Sequence, residues 1–202
     1  MSTAFIICNG PSRKEINLES LRQYGKIIGC NALYRDFMPD VLITVDKGMV
    51  RELNENLIQF KTECWTFPSK SYKRLKGFNF LIKHQKIYDR WCSGSTALFI
   101  ANRFHGPFDK IYILGMDLEA EKNSSNNIYT GTRNYDDPRR AVRTTEQFDT
   151  STRKWAACFK KWENTKFIRV LGPTPAHQKK WDIYKNFSEI TVDQFKEQFN
   201  GS

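Results

Sequence analysis

Short, almost purely apolar runs that stop abruptly on small or polar residues recur along this chain, with amphipathic or turn-rich stretches between them. The first is Ala4–Cys8, followed at once by Asn9, Gly10, Pro11 and Ser12. A strand that is apolar at nearly every position has both of its faces covered, as in a parallel sheet between helices. Lys26–Cys30, ending at Asn31, and Val41–Val45, ending at Asp46, repeat the pattern. Cys64–Phe67 and Phe78–Ile82 are weaker strand candidates. Lys110–Leu114 runs into Gly115, Met116 and Asp117, and Phe167–Leu171 reads as the final strand.

Helices are expected between these runs. Leu18–Tyr24 follows Asn17 as an N-cap, and Gly48–Phe60 carries Met49, Val50, Leu53, Leu57 and Phe60 at helical spacing. Ser93–Phe104 and Ser151–Trp162 read as two more helices, and Thr191 with Gln194 forms a capping box opening a last short one. Strands alternating with helices predict an α/β fold, a single Rossmann-like domain with a mostly parallel sheet flanked by helices. The 202 residues suffice for one such core and are too few for two comfortable domains. The polar stretch at about 119–150, without apolar periodicity, is expected to be an inserted lid.

Composition narrows the class. Apolar residues make up 40% and aromatics 14%, which excludes a disordered chain. No apolar run approaches the roughly 20 residues of a membrane helix. Ala4–Cys8 lacks the flanks of a signal peptide, so a cytoplasmic protein is expected. The five cysteines form no Cys-x-x-Cys pair and the three histidines stand far apart. No zinc site or disulfide framework is expected, and the cysteines read as small buried apolar residues. Net charge is +10, and Gly131–Lys180 holds twelve Lys or Arg against five Asp or Glu, a balance of about +7. Such a field attracts phosphates, on a nucleotide, a nucleic acid or an acidic glycan.

Parallel sheets bind ligands beyond the carboxyl ends of their strands. Here those ends carry Asn9, Gly10 and Ser12, then Asn31, Asp46 and Asp117. Gly10 admits close backbone approach, and Ser93 and Gly94 open a helix whose first N–H groups suit a phosphate. Asn9 and Asn31 both donate and accept hydrogen bonds, as recognition of ribose and base edges requires. Each of these residues also has a plainer reading as a turn former or helix cap. Neither the dinucleotide Gly-x-Gly-x-x-Gly fingerprint nor a P-loop occurs.

The run Phe5–Ile16 resembles the N-terminus of the bacterial sialyltransferases of glycosyltransferase family forty-two, in which an Asn-Gly-Pro-Ser turn opens the CMP-sugar site. The similarity continues through Cys30–Tyr34, Arg90–Gly94 and Lys110–Leu118. The last two blocks also resemble the wider set related to the archaeal 6-hydroxymethylpterin diphosphokinases, many of whose small members are phage-encoded. By position, the resemblance implies nucleotide binding by Asn9, Gly10, Ser12 and Asn31, with Arg90, Ser93 and Gly94 at the donor phosphate. It also implies Asp117 near the nucleotide and Tyr129, in the lid, as a hydrogen-bond donor to a leaving phosphate. A phage-type protein acting in a host cytoplasm would fit. Two departures stand out. No histidine lies between Glu119 and Trp155 to serve as the family's general base, and Asp46-Lys47 replaces an Asn-Pro.

Three functions are therefore expected in turn. The first is a glycosyltransferase-like enzyme with a nucleotide-sugar donor and Asp46, Asp117 or a lid carboxylate at 136–137 as base. Its acidic acceptor, a glycan or DNA, would meet Arg133, Arg139, Arg140 and Arg143, with Tyr129, Tyr135, Phe148 and Trp155 interleaved among the lid arginines as stacking platforms or, for Trp155, as packing. The second is a Mg²⁺-dependent transfer or hydrolysis at a nucleoside triphosphate, with Asp46 and Asp117 as ligands. The third is a non-catalytic nucleotide or nucleic-acid binder.

Overall fold

In the computed structural model, residues 1–72, 74–81, 92–118, 127–136, 145–172 and 177–199 are described. Among them the strands are β1 (Thr3–Ile7), β2 (Lys26–Cys30), β3 (Val41–Ile43), β4 (Glu63–Thr66), β5 (Phe78–Phe80), β6 (Lys110–Leu114), β7 (Lys166–Leu171) and β8 (Phe187–Thr191). They form one sheet in the order β5-β4-β3-β2-β1-β6-β7-β8, and every neighbouring pair is parallel. The helices are α1 (Lys47–Glu55), α2 (Ser93–Ile100), α3 (Thr145–Lys161) and α4 (Val192–Phe199). This is a Rossmann-like α/β fold.

The near-continuous apolar strands follow from covered faces. In β1, Ala4 and Ile6 pack with α2 and α3, against residues such as Leu98, Phe99, Trp155 and Phe159. Phe5 and Ile7 point the other way, into a core shared with Val50 and Leu53 of α1 and Phe195 of α4. Every residue of α2 is buried, so its opening Ser-Gly-Ser-Thr is small and internally bonded, with the Thr96 hydroxyl donating to the Cys92 carbonyl at 2.9 Å.

Several elements differ from the sequence expectation. Phe167–Leu171 is not the last strand, because β8 follows it at the sheet edge. Leu18–Tyr24 is a 3-10 helix, Glu19–Gln23, although Asn17 does accept the Glu19 N–H at 3.1 Å. The helix expected over Gly48–Phe60 ends at Glu55, since Leu57 takes a left-handed conformation with φ 55°. Helix α3 begins at Thr145, inside the segment expected to be irregular. Helix α2 passes into a π-helical turn at Ala101–His105. The capping box forms as expected: the Thr191 N–H donates to Gln194 Oε1 at 2.9 Å and the Gln194 N–H to Thr191 Oγ1 at 3.2 Å. Ile82, and 119–126 and 137–144 of the expected lid, lie outside the described residues.

Candidate functional site

The strand order reverses direction between β1 and β6, so the chain leaves these neighbours toward opposite sides and a crevice opens beyond their carboxyl ends. A cavity of about 290 Å³ occupies that position. It lies at the lower end of small-molecule sites, which span about 300–1,000 Å³.

Two turns build its floor. The Cys8 N–H donates to the Leu114 carbonyl and the Gly10 N–H to the Gly115 carbonyl, both at 2.8 Å, which extends the β1–β6 ladder past the strands. That approach tolerates no side chain: a Cβ on Gly10 would stand 2.4 Å from Asp117 Oδ2 and 2.6 Å from the Gly115 carbonyl oxygen. Pro11 then starts a 3-10 turn, and the Ser12 N–H donates to Asp117 Oδ2 at 2.9 Å. The carboxylate of Asp117 is thereby held on the cavity wall.

Asn31 ties three elements together at the end of β2. Its backbone is left-handed, with φ 51°. Its Oδ1 accepts from the Ser93 hydroxyl at 2.6 Å, and its Nδ2 donates to Asp46 Oδ2 at 3.2 Å. Ser93 Oγ in turn accepts the Val45 N–H at 3.3 Å. The ends of β2 and β3 and the start of α2 are thus linked by a polar relay from Asp46 through Asn31 to Ser93. In the first turn of α2 the Ser95 N–H is capped by Cys92 Sγ at 3.5 Å, while Ser93 and Gly94, whose N–H groups have no acceptor within the helix, line the cavity. Gly94 keeps that entrance bare, because a Cβ there would meet the Trp155 ring at 2.8 Å and Cys8 Sγ at 3.0 Å.

The segment 127–136 forms the opposite wall and is anchored at several points. The Ile128 N–H donates to the Asn9 carbonyl at 2.9 Å. The Tyr129 hydroxyl is bound to Asp36 and accepts from Arg13 Nη2 at 2.8 Å. Buried Glu52 of α1 accepts from Tyr34 at 2.5 Å, from Arg35 Nη2 at 2.6 Å and from Asn134 Nδ2 at 2.6 Å. Arg35 also reaches the Thr132 hydroxyl and the Arg133 carbonyl. Burial pushes the Glu52 carboxyl up, but hydrogen bonds from Tyr34 and Arg35 outweigh it and hold it below the ordinary glutamate range.

Two buried polar atoms at the cavity lack a hydrogen-bond partner among the described residues. Asn9 donates through Nδ2 to the Cys30 carbonyl at 3.2 Å, yet its Oδ1 is unpaired. The Tyr135 hydroxyl lies beside Asp46, with the Asn31 and Asn9 amides close enough to oppose part of the rise in its pKa. It makes no hydrogen bond of full geometry among the described residues. Burial, reinforced by the Asp46 charge, pushes its pKa up and keeps it a protonated donor. Buried polar groups in folded proteins are nearly always satisfied, so this pair marks where a ligand or water belongs.

Of the residues expected from sequence, Asn9, Gly10, Asn31, Asp46, Ser93, Gly94 and Asp117 line the one cavity. Ser12 adjoins it through its N–H but does not line it. Tyr129 is turned away, its hydroxyl held by Arg13 and Asp36, and Tyr135, in the same segment 127–136, is the tyrosine that faces the cavity. Arg133 pairs with Glu55 at 2.7 Å on the outer surface. Arg90, Arg139, Arg140, Arg143 and Asp137 lie outside the described residues. Trp155 is core packing that also contributes to the cavity wall. Sequence reasoning missed Asn127, Thr130 and Asn134, and also Cys30 and Cys92, which with Cys8 of the first turn line the cavity rather than only filling the core. A signal for the cysteines exists: each immediately precedes a polar lining residue, Asn9, Asn31 or Ser93. Among the described residues no group of three or more His, Cys, Asp or Glu side chains is placed to hold a metal ion, and no helix is long and apolar enough to cross a membrane. Comparison with family models, with curated proteins and with solved structures finds no match.

Proposed function

We propose that this chain is a glycosyltransferase-like enzyme that uses a nucleotide-activated sugar as donor. One observation carries the reading: the polar ends of β1, β2, β3 and β6 and the first turn of α2 converge on a single cavity at the switch in strand order. Asn9 and Asn31 would hold the nucleoside, with Asn9 Oδ1 accepting from a sugar hydroxyl or a base amine. The first turn of α2 would receive the phosphate. Tyr135, a buried donor, would face the leaving nucleotide or the sugar. An acceptor hydroxyl would attack the anomeric carbon as the nucleotide phosphate departs, and its proton would pass to Asp46 or Asp117. The basic run around Arg139, Arg140 and Arg143 supports an acidic acceptor, such as a glycan or nucleic acid.

Thermal melts with CMP, UDP, GDP and ATP and with the corresponding nucleotide sugars, each with and without Mg²⁺, test the assignment. Stabilisation by a nucleoside monophosphate or nucleotide sugar without metal is the expected result. Stabilisation by ATP alone, and only with Mg²⁺, overturns it in favour of metal-dependent phosphoryl chemistry at Asp46 and Asp117. With the donor identified, Asp46→Asn and Asp117→Asn should keep donor binding, and the one that removes the base should lower transfer by about 10²–10⁴-fold.

A further inference from the structure

Cys8 and Cys30 sit at the ends of adjacent parallel strands whose register pairs Ile7 with Gly29 one step earlier. The next pair in that register is Cys8 with Cys30. Neighbouring strands run about 4.7–4.9 Å apart, within the roughly 4.4–6.8 Å between Cα atoms that a disulfide spans. The side chains leave the same face of the sheet: Cys30 belongs to the core under α2 and α3, and Cys8 packs against it. Both are free thiols and both line the cavity. Cys30 is buried, while Cys8 is partly exposed and is the more accessible sulfur of the two. The Cys30 thiol titrates well above its ordinary value, chiefly because the Cys8 thiol hydrogen-bonds to it, with burial next.

We propose that Cys8 and Cys30 are a modification site for peroxides, forming a reversible disulfide across the cavity floor that blocks ligand binding. The blocking consequence rests on the nucleotide reading above; the bond itself does not. The Cys8 thiolate attacks one peroxide oxygen, the O–O bond breaks, and with a proton taken up a sulfenic acid and one water are formed. The Cys30 sulfur then attacks the sulfenic sulfur. An S–S bond forms, the S–O bond breaks, and a second water leaves with the Cys30 proton. Hydrogen peroxide is reduced by two electrons and the thiol pair is oxidised by two. The tether acts on the ligand because the next residues are Asn9 and Asn31, and because the Cys30 carbonyl itself accepts from Asn9 Nδ2. Shifting the strand ends from their inter-strand spacing toward the roughly 5.5–6 Å between Cα atoms that disulfides favour displaces both amides. A dithiol reductant reverses the bond by thiol–disulfide exchange.

The test treats the full chain with hydrogen peroxide, maps peptides without reduction, and repeats the nucleotide melts before and after dithiothreitol. A cross-linked Cys8–Cys30 peptide is expected, with loss of the nucleotide-induced shift on oxidation and its return on reduction. Cys8→Ser should show the same shift, whatever its size, before and after peroxide treatment, while Cys64→Ser, on the opposite face of the sheet, should behave as the unmodified protein. Absence of the cross-linked peptide, or oxidation of Cys8 to the sulfinic acid without it, overturns the proposal whether or not nucleotides bind. A cross-link that leaves the shift intact overturns it as a block on binding. If the reduced protein shows no shift with any nucleotide, the functional reading fails, and the peptide map still decides whether the bond forms.

Discussion

Asn31 concentrates in one residue the conflict between local backbone preference and site geometry. A non-glycine residue at φ 51° gives up roughly 1–2 kcal/mol relative to its favoured regions, and asparagine loses less than most. What holds it there is the side chain, bonded to Ser93 on one side and Asp46 on the other. The two effects separate by substitution. Asn31→Gly removes the amide and relieves the backbone, whereas Asn31→Ala removes the amide and keeps the strain. In chemical melts Asn31→Ala should therefore be less stable than Asn31→Gly by about 1 kcal/mol. Both should lose nucleotide-dependent stabilisation, since either breaks the relay between β2, β3 and α2. Equal stabilities for the two variants would show that the left-handed backbone carries no penalty. Normal nucleotide binding in both would place the ligand elsewhere.

At the scale of elements, α1 acts as a strut for the far wall of the cavity. Its buried Glu52 receives Tyr34, Arg35 and Asn134 together, so 127–136 is fixed by a charge on a helix and not only by its own turns. Because the folded Glu52 titrates below 4.5, its ordinary value, its contribution is complete above that pH and is lost as pH falls through the folded value. Glu52→Gln should cost about 1.5–3 kcal/mol near neutrality, as expected for losing charge-assisted bonds. It should also flatten the acid limb of the stability profile below pH 4.5, which urea melts across pH would read. Little of this clamp was legible in sequence, because Glu52 stands among solvent-type helix residues and its partners lie far away in the chain. The strands covered on both faces were legible, since Ala4–Cys8 and Lys110–Leu114 need apolar residues throughout. β8 was not: Phe187–Thr191 alternates, is only half-buried at the sheet edge, and shows no strand-length apolar run. The premature end of α1 was hidden too, because Leu57 fits the helical period yet turns left-handed. The site was legible where polar residues sit at strand ends. It was illegible in 127–136, where which tyrosine faces inward depends on Arg13 and Asp36 capturing Tyr129.

Taken as a whole, the molecule places its cavity on the seam between two halves of one sheet, with β2 and β3 reached from one side of β1 and β7 and β8 from beyond β6. A ligand held by Asn9 and Asn31 on one side and by the Asp117 turn on the other bridges both halves, so it should stabilise the cooperative unit and not merely a loop. At a nucleotide concentration about 100 times Kd, linkage supplies about 2.7 kcal/mol. For a domain of this size each kcal/mol raises Tm by about 2–4 °C, giving a shift of about 5–10 °C. The net charge of +10 creates a competing explanation, because any polyanion binds a basic surface and raises Tm as well. Salt separates the two. Diffuse phosphate contacts on the surface weaken steeply as salt rises from about 50 to about 200 mM. A nucleotide enclosed in the cavity makes few such contacts and is screened less, so most of its shift should survive. Asn31→Ala provides the second axis: it should abolish the salt-resistant nucleotide shift and leave a salt-sensitive polyanion shift untouched. If the nucleotide shift vanishes with salt in parallel with the polyanion shift, and Asn31→Ala alters neither, the basic surface binds the nucleotide and the cavity does not.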